Sequence, residues 1–201
     1  MEKVRMFTFL KVLQPVQESQ EWKWCSGGRR LCSSRTGTSR ESPTTAKATR
    51  PDLQGFVRRC NSVKVEGGWW VLYERNSYTG YQYVIGPGEY NEYRRWMGFN
   101  DCVRSCRIIK NAKGPHKLKL FDRPNFDGQS LELSDNMKAM QEKWTRQEVQ
   151  SCKVLDGSWV FFEHPNFCGR QYLLEKGEYK HHSEWGALKA AVGSIRRMTE
   201  K

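Results

Sequence analysis

The chain has 201 residues, with 34 Lys and Arg against 22 Asp and Glu for a net charge of +12, 7 cysteines, 17 glycines and 12% aromatic side chains. No apolar run is long enough to span a bilayer, and Lys11 breaks the run from Met6 to Leu10 too early for a secretory leader. Glycines and aromatics with little helical periodicity favour short strands and tight turns, and no Cys-x-x-Cys pair offers a zinc or redox site.

Residues 1–50 carry 10 basic and 4 acidic side chains, half of the positive excess. The remainder is interleaved with acids, as in Glu74-Arg75 and Asp122-Arg123, which reads as a mixed solvated surface with neither a nucleic-acid nor a membrane partner. An odd cysteine number without framework spacing reads as reduced thiols in the cytoplasm. Within residues 1–50 the stretch from Cys32 to Glu41 is a polar string without strand alternation. The segment is expected to be aberrant and disordered, with Trp22 and Trp24 exposed.

From Ser62 to Ile109 the chain repeats as Ser151 to Met198 at a constant offset of 89, without a gap and with 17 of 48 positions identical. A repeat of this length makes the molecule a duplication, two small domains rather than one large one. The boundaries are residues 51–108 for the first domain, 109–116 for a linker and 117–201 for the second. Trp70/Trp159 and Trp96/Trp185 recur at the offset, flanked by strand-type residues, so these four are expected to be buried, two in each domain.

A looser pattern runs through both halves: an aromatic, four residues, a second aromatic, one residue, a glycine, and then a distant serine. It appears as Tyr73, Tyr78, Gly80 and Ser105; as Phe121, Phe126, Gly128 and Ser151; and as Phe162, Phe167, Gly169 and Ser194. The first aromatic ends a strand, the second folds back over the turn, and glycine supplies a backbone angle closed to other residues. The serine hydroxyl can hydrogen-bond backbone groups of that folded hairpin from the neighbouring strand. Each pattern marks a four-strand Greek key, and two such units make a sandwich, so the fold class is all-β.

No nucleophile stands near a base and no carboxylates pair in a way that suggests catalysis, so neither a catalytic residue nor a cofactor is expected. His181 and His182 are adjacent on an extended chain, which points their rings apart, and they read as solvent-exposed with no metal. His116 falls in the linker and His164 in a turn. Arg94-Arg95 beside Trp96 becomes Ser183-Glu184 beside Trp185, so the arginines read as surface decoration.

Gly67 to Arg75, Arg95 to Asp101, Trp185 to Ala187 and Val192 to Arg197 carry a resemblance to the βγ-crystallin superfamily, and specifically to vertebrate γ-crystallins. S-like and fish-type members both fit. The resemblance implies two domains of two Greek keys each, pairing through an apolar patch. Val71, Val84 and Ile109 would meet Val160, Leu173 and Met198, three pairs at the offset of 89 that stay apolar in both copies. It also implies a structural, refractive protein of the lens fibre-cell cytoplasm, monomeric and in weak contact with other crystallins, and not an enzyme. The alternative is a non-lens binding module for calcium or, through a basic surface, nucleic acid. Asn100-Asp101 keeps the acidic start of a family calcium loop, but Arg104 stands where a hydroxyl ligand is needed, so this reads as a turn.

Three keys are visible where the family has four. Codons compatible with Ser33 to Glu41, read two bases late, permit Phe-Lys-Asp-Arg-Asn-Phe-Gln-Gly, which has the missing aromatics and glycine in order. The first motif is therefore read as degraded or out of frame up to about Arg50.

Overall fold

The computed structural model describes residues 11–16, 19–24, 44–47, 49–53, 59–65, 67–110, 114–146 and 148–199, the first three stretches as backbone only. The chain divides into two compact units, residues 1–80 with 85–108 and residues 81–84 with 109–201.

In the second unit, β9 (Lys117–Phe121) alternates lysine with leucine, burying Leu118 and Leu120 completely while Lys117 faces solvent. It pairs antiparallel with β10 (Ser130–Leu133) on one side and β11 (Ser151–Asp156) on the other. The short β14 (Gly177–Tyr179) closes the far edge of β11, giving the order β10-β9-β11-β14. The second sheet runs β15 (Ser194–Arg197), β12 (Trp159–His164), β13 (Cys168–Leu174) and then β6 (Gln82–Ile85), where Gln82 pairs with Gln171. Trp159, Phe161, Leu174, Trp185 and Ile195 meet Leu118, Leu120, Cys152 and Val154 in one apolar cluster.

The two Greek keys of this unit are interleaved. By sequence β14 belongs to the fourth key, yet it hydrogen-bonds to β11 of the third. In return Met137 of the third key bridges Ile195 of β15, with both backbone hydrogen bonds at 2.8 Å. A sandwich of two keys is thus built by exchanging a strand between them rather than by stacking one sheet per key.

The first unit repeats this scheme where its sequence permits. β4 (Val63–Val65) pairs with β7 (Gly88–Tyr90) as Val63↔Tyr90, the counterpart of Cys152↔Tyr179. β5 (Trp69–Tyr73) lies beside β8 (Ser105–Ile109). Arg50 exchanges hydrogen bonds of 2.9 and 3.0 Å with Cys106, as Met137 does with Ile195, and Leu53 N–H donates to Arg104 O as Met140 N–H does to Gly193 O. The repeat of hydrogen bonds therefore reaches back to Arg50, beyond the gapless repeat of sequence. Here the offset is 87 instead of 89, because the first unit is two residues shorter before Cys60.

On the other edge of β4 the two units differ. β11 takes β9 antiparallel from Ser151↔Phe121 to Val154↔Leu118, whereas β4 takes β1 (Lys11–Val16) in parallel, at Lys11↔Lys64 and Val12↔Val65. β1 continues antiparallel to β2 (Ser19–Trp24), and β2 to β3 (Thr44–Lys47). The structure thus places three strands within the segment read as disordered. The string from Cys32 to Glu41 and the side chains of Trp22 and Trp24 lie outside the described residues.

Two parallel register pairs hold an edge less firmly than five antiparallel ones. In native-state hydrogen exchange the amides of Val63 to Val65 should therefore exchange well before those of Cys152 to Val154. Equal protection would show that β1 completes the first sheet as firmly as β9 completes its counterpart.

Candidate functional site

The most repeated local structure is the folded corner, and its geometry is the same three times. Tyr73 and Tyr78 meet edge to face with centroids 5.6 Å apart, and Phe121 and Phe126 at 5.7 Å and Phe162 and Phe167 at 5.5 Å meet tilted, with 58–64° between planes in all three. Ser105 Oγ donates to Arg75 O at 2.6 Å and accepts from Tyr78 N–H at 3.1 Å. Ser151 repeats this with Arg123 O and Phe126 N–H at 2.6 and 3.0 Å, and Ser194 with His164 O and Phe167 N–H at 2.6 and 2.9 Å. All three serines are completely buried. A buried hydroxyl that both donates and accepts replaces two strand hydrogen bonds at the point where the chain turns.

Gly80, Gly128 and Gly169 have φ of 81, 79 and 85°, in the left-handed region the pattern requires. The two residues at the tip of each corner adopt it as well: Ser77 and Tyr78, Asn125 and Phe126, Asn166 and Phe167, all between 54 and 66°. Sequence reasoning missed these. The asparagines at 125 and 166 were the available signal, since Asn tolerates this region better than most residues.

Trp70, Trp96, Trp159 and Trp185 are buried to 2, 2, 0 and 3% exposure. Trp70 Nε1 donates to Gly67 O and Trp159 Nε1 to Asp156 O, each at 3.2 Å and at equivalent positions. Trp144, unmarked by the repeat, is buried too and donates to Glu148 O.

Of the six positions of the apolar patch, Val71, Ile109, Val160, Leu173 and Met198 are buried and Val84 is half-buried. Within the second unit, Val84 N–H donates to Gln171 Oε1 at 2.9 Å and Leu173 N–H to Gln82 Oε1 at 3.0 Å, a reciprocal pair. Neither glutamine was singled out from sequence, although Gln82 and Gln171 are identical across the repeat.

Asn100 Oδ1 accepts from Cys102 N–H at 2.9 Å, the bond of an Asx turn, and Asn100 Nδ2 donates to Glu74 Oε1. Asp101 is held by Arg59 at 2.7 Å. Arg94 and Arg95 are exposed, the former over the Tyr93 ring, while Trp96 is turned into the core against Tyr90. No group of three or more His, Cys, Asp or Glu that could hold a metal occurs among the described residues.

The histidines depart from their sequence reading. His181 and His182 do not point apart: their rings lie 4.0 Å centre to centre with 38° between planes, and both are half-buried rather than exposed. They sit at the start of a 3-10 turn (His182–Trp185), whose N-cap geometry at His181 folds the extended chain back. His116 is buried in the second unit, with Nε2 2.6 Å from Met198 O and its ring edge-on to Trp159.

Burial raises the thiol pKa of Cys106 and of Cys152 far above the ordinary cysteine value, since the thiolate cannot be solvated there. In the unfolded chain these thiols ionise near the ordinary value of about 8.5. Their contribution to stability is thus complete below that pH and declines above it, by up to about 1.4 kcal/mol per pH unit for each thiol. Alkaline titration of stability should show this decline, and a Cys106→Ser, Cys152→Ser variant should flatten it. With a thiol reagent on the native protein, exposed Cys168 should react first among the described cysteines, and these two only on unfolding.

Residues 40–109 and 117–198 match the Beta/Gamma crystallin family. The chain is 47% identical over 149 residues to gamma-crystallin S-1 of Chiloscyllium indicum, spanning 74% of this chain and 86% of that one. It is 49% identical over 150 residues to gamma-crystallin S of Cyprinus carpio, with 74% and 86% covered. For gamma-crystallin B of Bos taurus the identity is 46% over 150 residues, with 75% and 86% covered. No helix among the described residues is long and apolar enough to cross a membrane. With two matched domains, three serine-tied corners and this level of identity, the chain belongs to the beta/gamma crystallin family as a γ-crystallin of vertebrate type, a structural protein and not an enzyme.

Proposed function

We propose that the chain is a structural constituent of the eye lens, a soluble, densely packed refractive protein of the fibre-cell cytoplasm that contributes to transparency. The observation that carries this reading is the 46–49% identity to γ-crystallins across both matched domains. Interspersed surface pairs such as Lys64–Glu89, Lys117–Glu132, Lys153–Glu178 and Arg197–Asp135 suit a protein that must stay dispersed at high concentration. Immunolocalisation in the source animal should stain lens fibre cytoplasm, and light scattering of the concentrated protein should show net repulsion. Expression confined to other tissues would overturn the lens role.

The proposal includes a monomer whose two copies of the sequence repeat, Ser62 to Ile109 and Ser151 to Met198, pair through Val71, Val84 and Ile109 of the first and Val160, Leu173 and Met198 of the second, with only weak contacts to other crystallins. Support comes from the retained apolar character of all three repeat pairs. Aspartate at Val84 and Leu173 should uncouple two unfolding transitions in denaturant, and unchanged transitions would count against the pairing.

A further inference from the structure

Two imidazoles held side by side on a rigid turn are the beginning of a metal site, and the hydrogen bonds of His181 and His182 decide which ring nitrogens are available. His182 Nδ1 lies 3.0 Å from Ala187 O, and a carbonyl can only accept, so Nδ1 carries the proton and Nε2 is left with its lone pair. Metal-binding histidines are oriented in this same way, the other ring N–H being donated to a carbonyl. His181 Nδ1 lies 3.0 Å from Ser183 Oγ, which can accept from it as well as donate to it. The backbone N–H of Ser183 is the second contact of that nitrogen, at 3.4 Å. A move of one proton from Nε2 to Nδ1, now donated to the serine hydroxyl, frees the Nε2 lone pair of His181 too.

Each ring therefore turns Nδ1 towards the protein and leaves Nε2 unused by any described side chain or backbone group. The ring centroids are 4.0 Å apart, and the Trp185 ring stands T-shaped to His182 with its centroid 6.4 Å away. Glu184, the nearest carboxylate in sequence, is already engaged by Lys180 N–H at 2.9 Å. The turn itself is locked by Gly186 N–H and Ala187 N–H donating to Ser183 O and His182 O. The backbone that carries both ligands is thus preformed, and binding requires that the stacked rings splay until both in-plane Nε2 lone pairs meet at one ion.

We propose that His181 and His182 form a two-imidazole site for a borderline divalent transition metal, which both Nε2 atoms would ligate while water fills the remaining positions. Imidazole suits copper, nickel and zinc, with Cu2+ the tightest of the divalent series and the oxygen-seeking Ca2+ and Mg2+ excluded. The first unit has no equivalent, because Glu92 and Tyr93 stand at the corresponding positions. The site belongs to this chain's second unit and not to the duplicated scaffold.

The test uses the full chain with the metals themselves. Calorimetric titration with NiCl2, which does not oxidise thiols, should give one site. The electron paramagnetic resonance spectrum with substoichiometric Cu2+ should show coupling to two imidazole nitrogens. His181→Gln and His182→Gln should each weaken Ni2+ binding by about tenfold or more, the lower bound expected even for loss of an outer-shell partner. His164→Gln should leave it unchanged. His182→Gln also removes the contact to Ala187 O, so His181→Gln, which disturbs no core residue, is the deciding variant, with its melting temperature in EDTA as the control. Ni2+ affinity unchanged in the His181→Gln protein, or a copper spectrum with one nitrogen or with sulfur coordination, would overturn the site.

Discussion

Replacing Phe161 with alanine should cost about 3–5 kcal/mol, the usual range for deleting a buried phenyl ring, and should take the second unit close to the edge of its stability. Phe161 is completely buried, at the middle of β12, where it pairs with Tyr172 on one side and Ile195 on the other. Its ring meets Trp185 at 5.7 Å and 74°, an edge-to-face contact that adds to the area it buries. Ile195 lies in β15, which the bridge to Met137 ties to the neighbouring key, and Tyr172 lies in β13, paired with β12 along its length, so the cavity cannot collapse without breaking β12 pairing. Denaturant unfolding followed by tryptophan emission should show the loss in the transition of this unit. A cost under about 1 kcal/mol would mean that the core refills the space and is not rigid around β12.

Gly157→Val should be comparably damaging, for a different reason. Gly157 has φ of 73°, and a Cβ placed there would lie 2.4 Å from Cδ2 of the buried His116 ring. A β-branched residue is strained at this angle, and the ring must move out of its place between Trp159 and Met198 O. Backbone strain, overpacking and the lost hydrogen bond together amount to about 3–6 kcal/mol. The mechanism makes a sharper forecast through Gly157→Ala. In a His116→Ala background its penalty should shrink to the backbone strain alone, about 1–2 kcal/mol, because the obstructing ring is gone. Equal penalties in both backgrounds would remove His116 from the explanation.

The repeat at offset 89, the all-β class and the three aromatic-glycine-serine patterns were legible in the sequence, because each depends on residue types at fixed local spacing. The corner at Ser194 shows why such a reading succeeds: a hydroxyl, a glycine and two aromatics have few ways to satisfy one another in a tight turn. The stacking of His181 on His182 was not legible, since two adjacent side chains diverge on an extended strand and converge only when the chain bends at a 3-10 turn. Gln82 and Gln171 were visible only as identities, and their reciprocal bonds to Leu173 and Val84 needed strands that are distant in sequence.

What the sequence determined by itself was the unit of construction, its duplication, its family resemblance and the place where one motif lost its pattern. Which strand pairs with which was decided in three dimensions. The residues of β7 and β14, Gly-Glu-Tyr in both, carry no address for a hydrogen-bonding edge, and both cross to the neighbouring key because that closes two sheets over one core. The same physics operates at β4, whose free edge offers backbone donors and acceptors to any strand in reach. It takes β1, the first strand of the antiparallel pair β1–β2, in the direction opposite to that in which β11 takes β9, because an unpaired edge selects for hydrogen bonds and not for sequence.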